Sequence, residues 1–276
     1  MNLRPVQTLF RQAAFFALSV LALLPLYFMA VSSLKSQIGF AQNPTGIPRA
    51  PTLENFATVV AQENFLRWMG NSAILTFSSV ILAIAVSCMA AYAFARLPLR
   101  GGRLLFRLTT TLMAVPVIAV IVPLFVFLAQ IGLVNNQPAV VLVYVGFMTP
   151  YTTFFLTGFF RRLPEEILDA AVIDGCSLAS LLWRIVVPLS AAAIATLAIV
   201  NALWAWNELL ISLVLLQDDS LRTLMVGLTV FRDRFSINVP VSMAGLVVAL
   251  VPMLLLYLLG LRYFVSGLLM GAVKGE

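Results

Sequence analysis

Leu128-Ala129-Gln130-Ile131-Gly132-Leu133-Val134-Asn135-Asn136-Gln137-Pro138-Ala139-Val140 lies inside a longer stretch, Leu108 to Phe160, that carries no charged side chain. A helix crossing a bilayer needs about 20 mostly apolar residues. The stretch is too long for one crossing, and the polar group Asn135-Asn136-Gln137 divides it in two, near 107–130 and 138–160. Working outward, further charge-free runs extend over Gln12–Leu34, Trp68–Ala95, Ile185–Asn207 and Phe235–Leu261. Six spans follow, near 13–34, 70–95, 107–130, 138–160, 186–210 and 241–263. Strict alternation of apolar and polar residues is absent, which favours helices over a barrel. The first apolar run is longer than a secretory leader's and is followed by no small-x-small cleavage site, so it reads as a retained helix.

Composition agrees. Of 276 residues 62% are apolar and 10% charged, and the mean hydropathy is +1.03. Soluble domains run at about 45–50% apolar and about 25% charged. Folded in water, the chain would lack the charge to cover its surface, which excludes a soluble enzyme and a disordered tail. The sequence has no histidine, so triads, general bases and zinc sites built on imidazole are excluded. Neither Lys35 nor Lys274 stands in the Gly-Lys-Ser/Thr setting of a phosphate-cradling loop. Cys88 and Cys176 read as two unpaired thiols.

Basic residues orient the bundle. With the N-terminus in the cytoplasm, the inner segments hold Arg4, Arg11, Arg96, Arg100, Arg103, Arg107, Arg161, Arg162, Arg184, Arg262 and Lys274. The outer segments hold Lys35, Arg49, Arg67, Arg222, Arg232 and Arg234. Both termini are then expected inside, with extracytoplasmic loops at 35–69 and 217–240. The pI near 9.8 is a topology signal. The basic residues of the inner side are spread over four segments and form no patch interleaved with aromatics, so no nucleic-acid partner is expected.

The inner loop 161–185 is the most informative. In Leu163-Pro164-Glu165-Glu166-Ile167-Leu168-Asp169-Ala170-Ala171-Val172-Ile173-Asp174-Gly175, Pro164 can open a helix. The acids after it suit the positive end of the helix dipole, and Gly175 suits a stop. Ile167, Ala170, Ala171 and Asp174 recur at helical spacing, predicting a flat small-residue face flanked by Glu165, Glu166 and Asp169. A second short helix is predicted from about Ser177 to Ile185, with Pro188 marking entry into the fifth span. These residues suit a docking element, and they equally suit an ordinary polar connector.

The segment resembles the cytoplasmic signature of permease subunits of binding-protein-dependent ABC importers. The matching residues are Asp169-Ala170-Ala171, Gly175, Ile185 and Pro188. Asp169 stands where the family usually has glutamate, and Val187 where it usually has leucine. The tail Gly267-Leu268-Leu269-Met270-Gly271-Ala272-Val273-Lys274-Gly275 and the step Trp206-Asn207-Glu208 look most like the sugar-importing, maltose-transporter branch. The resemblance implies an all-α type I importer permease, a single domain over 1–276, in a bacterial or archaeal cytoplasmic membrane. Its implied partners are a second permease, two ATPase subunits and an extracytoplasmic solute-binding protein. ATP and magnesium would bind the ATPases, with no cofactor or metal in this chain and no bond chemistry.

The resemblance further implies that Glu165, Glu166, Asp169, Ala170, Ala171, Asp174 and Gly175, flanked by Arg161 and Arg162, couple to the ATPases. Arg232, Asp233 and Arg234 become candidate contacts to the binding protein, or a solvated loop. On residue chemistry, Asn201, Trp204, Trp206, Asn207 and Glu208 are candidates for the substrate pathway, since sugars offer ring faces to Trp and hydroxyls to Asn or Glu. An aromatic belt with an interfacial acid would use the same residues. Three rival functions remain: a permease of this class for a non-sugar solute, a stand-alone secondary carrier and a membrane-embedded enzyme. The carrier would need intramembrane acids or histidines and two matched halves; the enzyme would need a catalytic constellation at depth.

Overall fold

A computed structural model describes residues 4–62, 64–234 and 238–272, excepting the side chains of 4–10, 230–234 and 262–272. Every regular element among them is helical. In chain order these are α1 (Arg4–Ser33), α2 (Gln37–Gln42), α3 (Glu54–Val60), α4 (Phe65–Arg96), α5 (Gly102–Thr111), α6 (Val117–Gln130), α7 (Gln137–Phe160), α8 (Glu165–Ile173), α9 (Leu178–Leu181), α10 (Val187–Leu189), α11 (Ala191–Asn207), α12 (Leu210–Leu215), α13 (Leu224–Arg234) and α14 (Val239–Ala272). The apolar stretches Arg11–Ser33, Phe65–Arg96, Gln137–Phe160 and Val239–Leu261 are each long enough to cross a membrane. Two further pairs of helices reach that length only together, each sharply bent.

The first bent pair falls on the expected span 107–130. Gly102–Ala114 and Val117–Gln130 meet at 99°. A proline disfavours helical backbone in the residue before it. Val115 accordingly takes φ −78°, ψ 111° and Pro116 ψ 138°. Pro123 and Pro150, by contrast, stay inside α6 and α7. The second pair falls on the expected span 186–210. Leu178–Leu189 meets Ala191–Asn207 at 81°, so the chain turns at Ser190 and not at Pro188. A π-helical segment, Leu182–Val186, joins α9 to α10, carrying the second short helix past Ile185. Helix α11 then ends at Asn207, short of 210.

By contacts the chain clusters into two compact units, residues 1–66 with 227–251 and residues 67–226 with 252–276. In the first, the connection after α1 is tightly bonded. Lys35 is 2% exposed, and its ammonium donates to the carbonyls of Asn43 at 2.7 Å and Pro44 at 3.0 Å. A buried charge needs such acceptors. The Asn55 amide donates to the carbonyls of Ser33 and Lys35, both at 2.8 Å.

In the second unit, Leu75, Val140, Tyr144, Ile211, Leu215 and Leu216 belong to one apolar core. The turn that splits the long apolar run also clasps a distant loop. Asn135 sits at φ +57°, a conformation in which asparagine is enriched. Its backbone N–H donates to Leu215 O at 2.8 Å, and its side-chain oxygen accepts from Gln217 N at 2.6 Å and Asp218 N at 3.1 Å. Asn136 caps α7 by accepting from Ala139 N. From α4, Trp68 Nε1 donates to Asp219 O, and Asn71 Nδ2 to Ser220 O and Arg222 O.

Candidate functional site

Helix α8 opens after Pro164, whose ψ of 132° is non-helical, and carries Glu165 and Glu166 in its first turn. It stops at Gly175, φ +84°. There Cys176 N donates to Ala171 O and Gly175 N to Val172 O, both at 3.0 Å. This nested pair satisfies carbonyls that the helix end would leave bare. A Cβ at Gly175 would meet nothing within 4 Å, so glycine is required there by backbone conformation and not by space. Ser177 starts the next helix, its hydroxyl accepting from Ser180 N at 3.3 Å. Two short helices with a tight turn are therefore written directly in the local sequence.

Packing sorts their faces. Leu168 and Ala171, each 7% exposed, join Leu181, Leu182 and Val186 in a core with Cys88, Ala91, Tyr92, Leu156 and Phe160. The expectation that both alanines form one docking face is thus corrected. Ala171 is an anchor to α4 and α7, and Ala170 is the exposed one. Arg161, Arg162, Glu165, Glu166, Asp169, Asp174 and Gly175 are exposed too. Beside them stand Ile173 at 85%, Leu178 at 58% and Ile167 at 43% exposure. Ile167 belongs to the face predicted from helical spacing, whereas Ile173 and Leu178 lie outside that prediction. The available signal was an isoleucine directly before the helix-ending Asp-Gly, outside the buried register.

Two arginines hold this element in place. Arg96 at the end of α4 donates to the carbonyls of Phe160 at 2.8 Å and Leu163 at 2.6 Å, and pairs with Glu165 at 3.3 Å. It thereby ties the end of α7 to the start of α8, a role beyond the topology signal its charge gives in the sequence. Arg161 donates to Phe94 O at 3.4 Å and lies 5.4 Å from the Phe106 ring centroid, a cation–π contact.

The five polar and aromatic residues near the end of α11 do not share one face. Asn201, 3% exposed, donates to Thr152 Oγ1 on α7 at 2.8 Å. Trp204 packs edge-on against Tyr144, with ring centroids 5.4 Å apart. Trp206 is buried and lines an apolar groove of about 460 Å³ with Met69, Phe77, Met253 and Leu256. Asn207 is exposed and donates back to Leu203 O. Glu208 is 9% exposed and committed internally. Its Oε1 accepts from Ile211 N at 2.7 Å; its Oε2 accepts from Ser212 N at 3.1 Å and from the Tyr144 hydroxyl at 2.9 Å. Because Tyr144 donates to Glu208, the Ser212 hydroxyl, 2.6 Å away, donates to Tyr144. The carboxylate works as an N-terminal cap for α12. Arg232, Asp233 and Arg234 close α13 in backbone; their side chains lie outside those described.

One chain thus combines long apolar helices with a helix pair folded back onto α4 and α7. Residues 83–268 match the family model for the binding-protein-dependent transport system inner membrane component, and the chain belongs to that family. It is a multi-pass membrane protein and an ABC importer permease. The sulfoquinovosyl glycerol transport system permease protein of Agrobacterium fabrum is 34% identical over 95% of this chain and 93% of its own. The trehalose/maltose transport system permease protein of Thermococcus litoralis is 32% identical over 94% of each chain. The diacetylchitobiose uptake system permease protein of Streptomyces coelicolor is 33% identical over 87% of this chain and 80% of its own. In fold, the chain matches a subunit in the crystal structure of a bacterial ABC transporter involved in the import of the acidic polysaccharide alginate, with a TM-score of 0.85 at 20% identity, covering 96% of this chain and 98% of that one.

Proposed function

We propose that this permease imports a sugar or oligosaccharide delivered by an extracytoplasmic binding protein, and that it receives its driving motion from two ATPase subunits through residues 161–185. A second permease completes the pathway. The sugar class is supported by relatives named for glycoside, disaccharide and oligosaccharide transport. Both termini and the helix pair face the cytoplasm in this reading, and ATP and magnesium belong to the ATPase partners.

The observation that carries the coupling role is the division of faces on α8. Leu168 and Ala171 lock it to α4 and α7, while Asp169, Ala170, Ile173 and Asp174 point away from the core. A push on the exposed face is then delivered to two long helices. Coupling of this kind needs partner contacts that differ between two states of the transporter. Trp204 and Asn207 remain the better candidates for the pathway. Asn201 and Glu208 serve as internal bonds that shape it.

Reconstituted uptake of labelled oligosaccharide, with ATP hydrolysis stimulated by the binding protein, tests this reading. Gly175→Val forces a β-branched residue into positive φ, while Gly175→Asn accepts that conformation. Stimulated hydrolysis should fall in the valine variant and recover in the asparagine variant at equal subunit abundance. Full activity in Gly175→Val would refute the coupling role.

A further inference from the structure

We infer that α5 is an interfacial helix that binds the headgroups of anionic phospholipids through Arg100, Arg103 and Arg107. The inference rests on the chain's multi-pass membrane character and not on the sugar or ATPase reading. The two helix axes meet at 99°. A turn that sharp keeps α5 from continuing the direction in which α6 enters the bilayer. Ile118 and Val122 of α6, each 67% exposed, are the apolar surface expected of a helix bathed in lipid.

Helix α5 has three sides. At 3.6 residues per turn, Leu104, Leu105 and Leu108 fall together, and Arg103 and Arg107 fall together on another side. Between them Phe106 turns inward, 5.6 Å from Phe94 and 6.2 Å from Phe154 by ring centroids. No residue of α5 is buried, and the three leucines are 51–62% exposed. A side of leucines facing acyl chains, with a separate side of arginines, is the pattern of a helix lying in the interface.

Charge selects the lipid. No Asp or Glu occurs anywhere from residue 64 to 164. Neither ion pair found among the described residues involves Arg100, Arg103 or Arg107. Three arginines on one short segment thus have no ion-pair partner among the described residues, and phosphate diesters at the membrane surface supply the counter-charge. Gly101, at φ +77°, turns the chain between Arg100 and the helix, bringing the first arginine onto the same end.

The test is photolabelling of the assembled transport complex in phosphatidylcholine vesicles containing phosphatidylglycerol. Photoreactive phosphatidylglycerol and photoreactive phosphatidylcholine are compared, and the label is mapped to residues 100–112. Phosphatidylglycerol should label this segment several-fold more, and the excess should decline as salt is raised. Arg103→Gln with Arg107→Gln should lower the excess by about fivefold for each arginine at most, while Arg103→Lys with Arg107→Lys should keep it. Equal labelling by the two lipids, or an excess insensitive to salt, would overturn the proposal even if the glutamine variant failed to assemble. Loss of the excess on adding inorganic phosphate would also overturn it, marking a simple anion site. Failed uptake with the lipid preference intact would count against the transport reading alone.

Discussion

The Tyr144 hydroxyl on α7 donates to the Glu208 carboxylate at 2.9 Å, at the point where α11 gives way to α12. The same carboxylate caps the N–H groups of Ile211 and Ser212. One buried acid thus joins the middle of a long helix to a break in another. An acid at membrane depth is by default a pathway candidate. Here its oxygens are already occupied by the chain itself, which makes it a joint.

That joint predicts an order of stabilities. Tyr144→Phe removes one of three donors and should cost about 1–2 kcal/mol. Glu208→Ala strands two buried backbone N–H groups and the phenol, and should cost clearly more. The double variant should cost less than the two singles added, because they share a bond. Thermal unfolding of the detergent-solubilised complex, followed by size exclusion, measures all three. A Glu208→Ala protein as stable as Tyr144→Phe would contradict the capping role.

Neighbouring alanines should behave oppositely. Ala171→Glu places a charge in the core against Cys88 and Phe160 and should reduce subunit abundance, since a buried unpaired charge is costly. Ala170→Glu lies on the exposed face and should leave abundance unchanged while lowering ATP hydrolysis stimulated by the binding protein. Immunoblotting and hydrolysis assays on the same membranes separate the two effects. Equal abundance in both variants would mean that the face assignment is wrong.

The ion pair Arg96–Glu165 should prove unequal. Glu165 is 81% exposed at the side chain and Arg96 14%. Removing the acid should change stability by less than about 1 kcal/mol, as for other exposed pairs. Arg96→Gln loses charged hydrogen bonds to the carbonyls of Phe160 and Leu163 and should cost about 2–3 kcal/mol. Comparing the unfolding temperatures of Glu165→Gln and Arg96→Gln checks this; similar values would show that the pair matters more than the carbonyl clamp.

Much of the helix pair was readable from neighbours in the chain. Pro164, Glu165, Gly175 and Ser177 are start and stop signals whose action is confined to one turn of backbone, so their positions carry over directly into α8 and α9. The inward or outward direction of Ala170 and Ala171 was not readable. Adjacent small residues differ by about 100° around a helix, and only α4 and α7 decide which of them is covered.

Apolar run length and the polar break at Asn135–Gln137 determined a helical membrane protein and the approximate positions of its long apolar helices, because a bilayer demands long uncharged stretches whatever surrounds them. The tertiary structure alone decided that Pro116 and Ser190 turn the chain sharply, that Glu208 and Arg96 are spent on internal bonds, and that α5 is left with uncovered leucines and unpaired arginines. Those outcomes depend on which groups meet across helices far apart in sequence, and hydrogen bonds and packing between such helices leave no periodic trace in the chain itself.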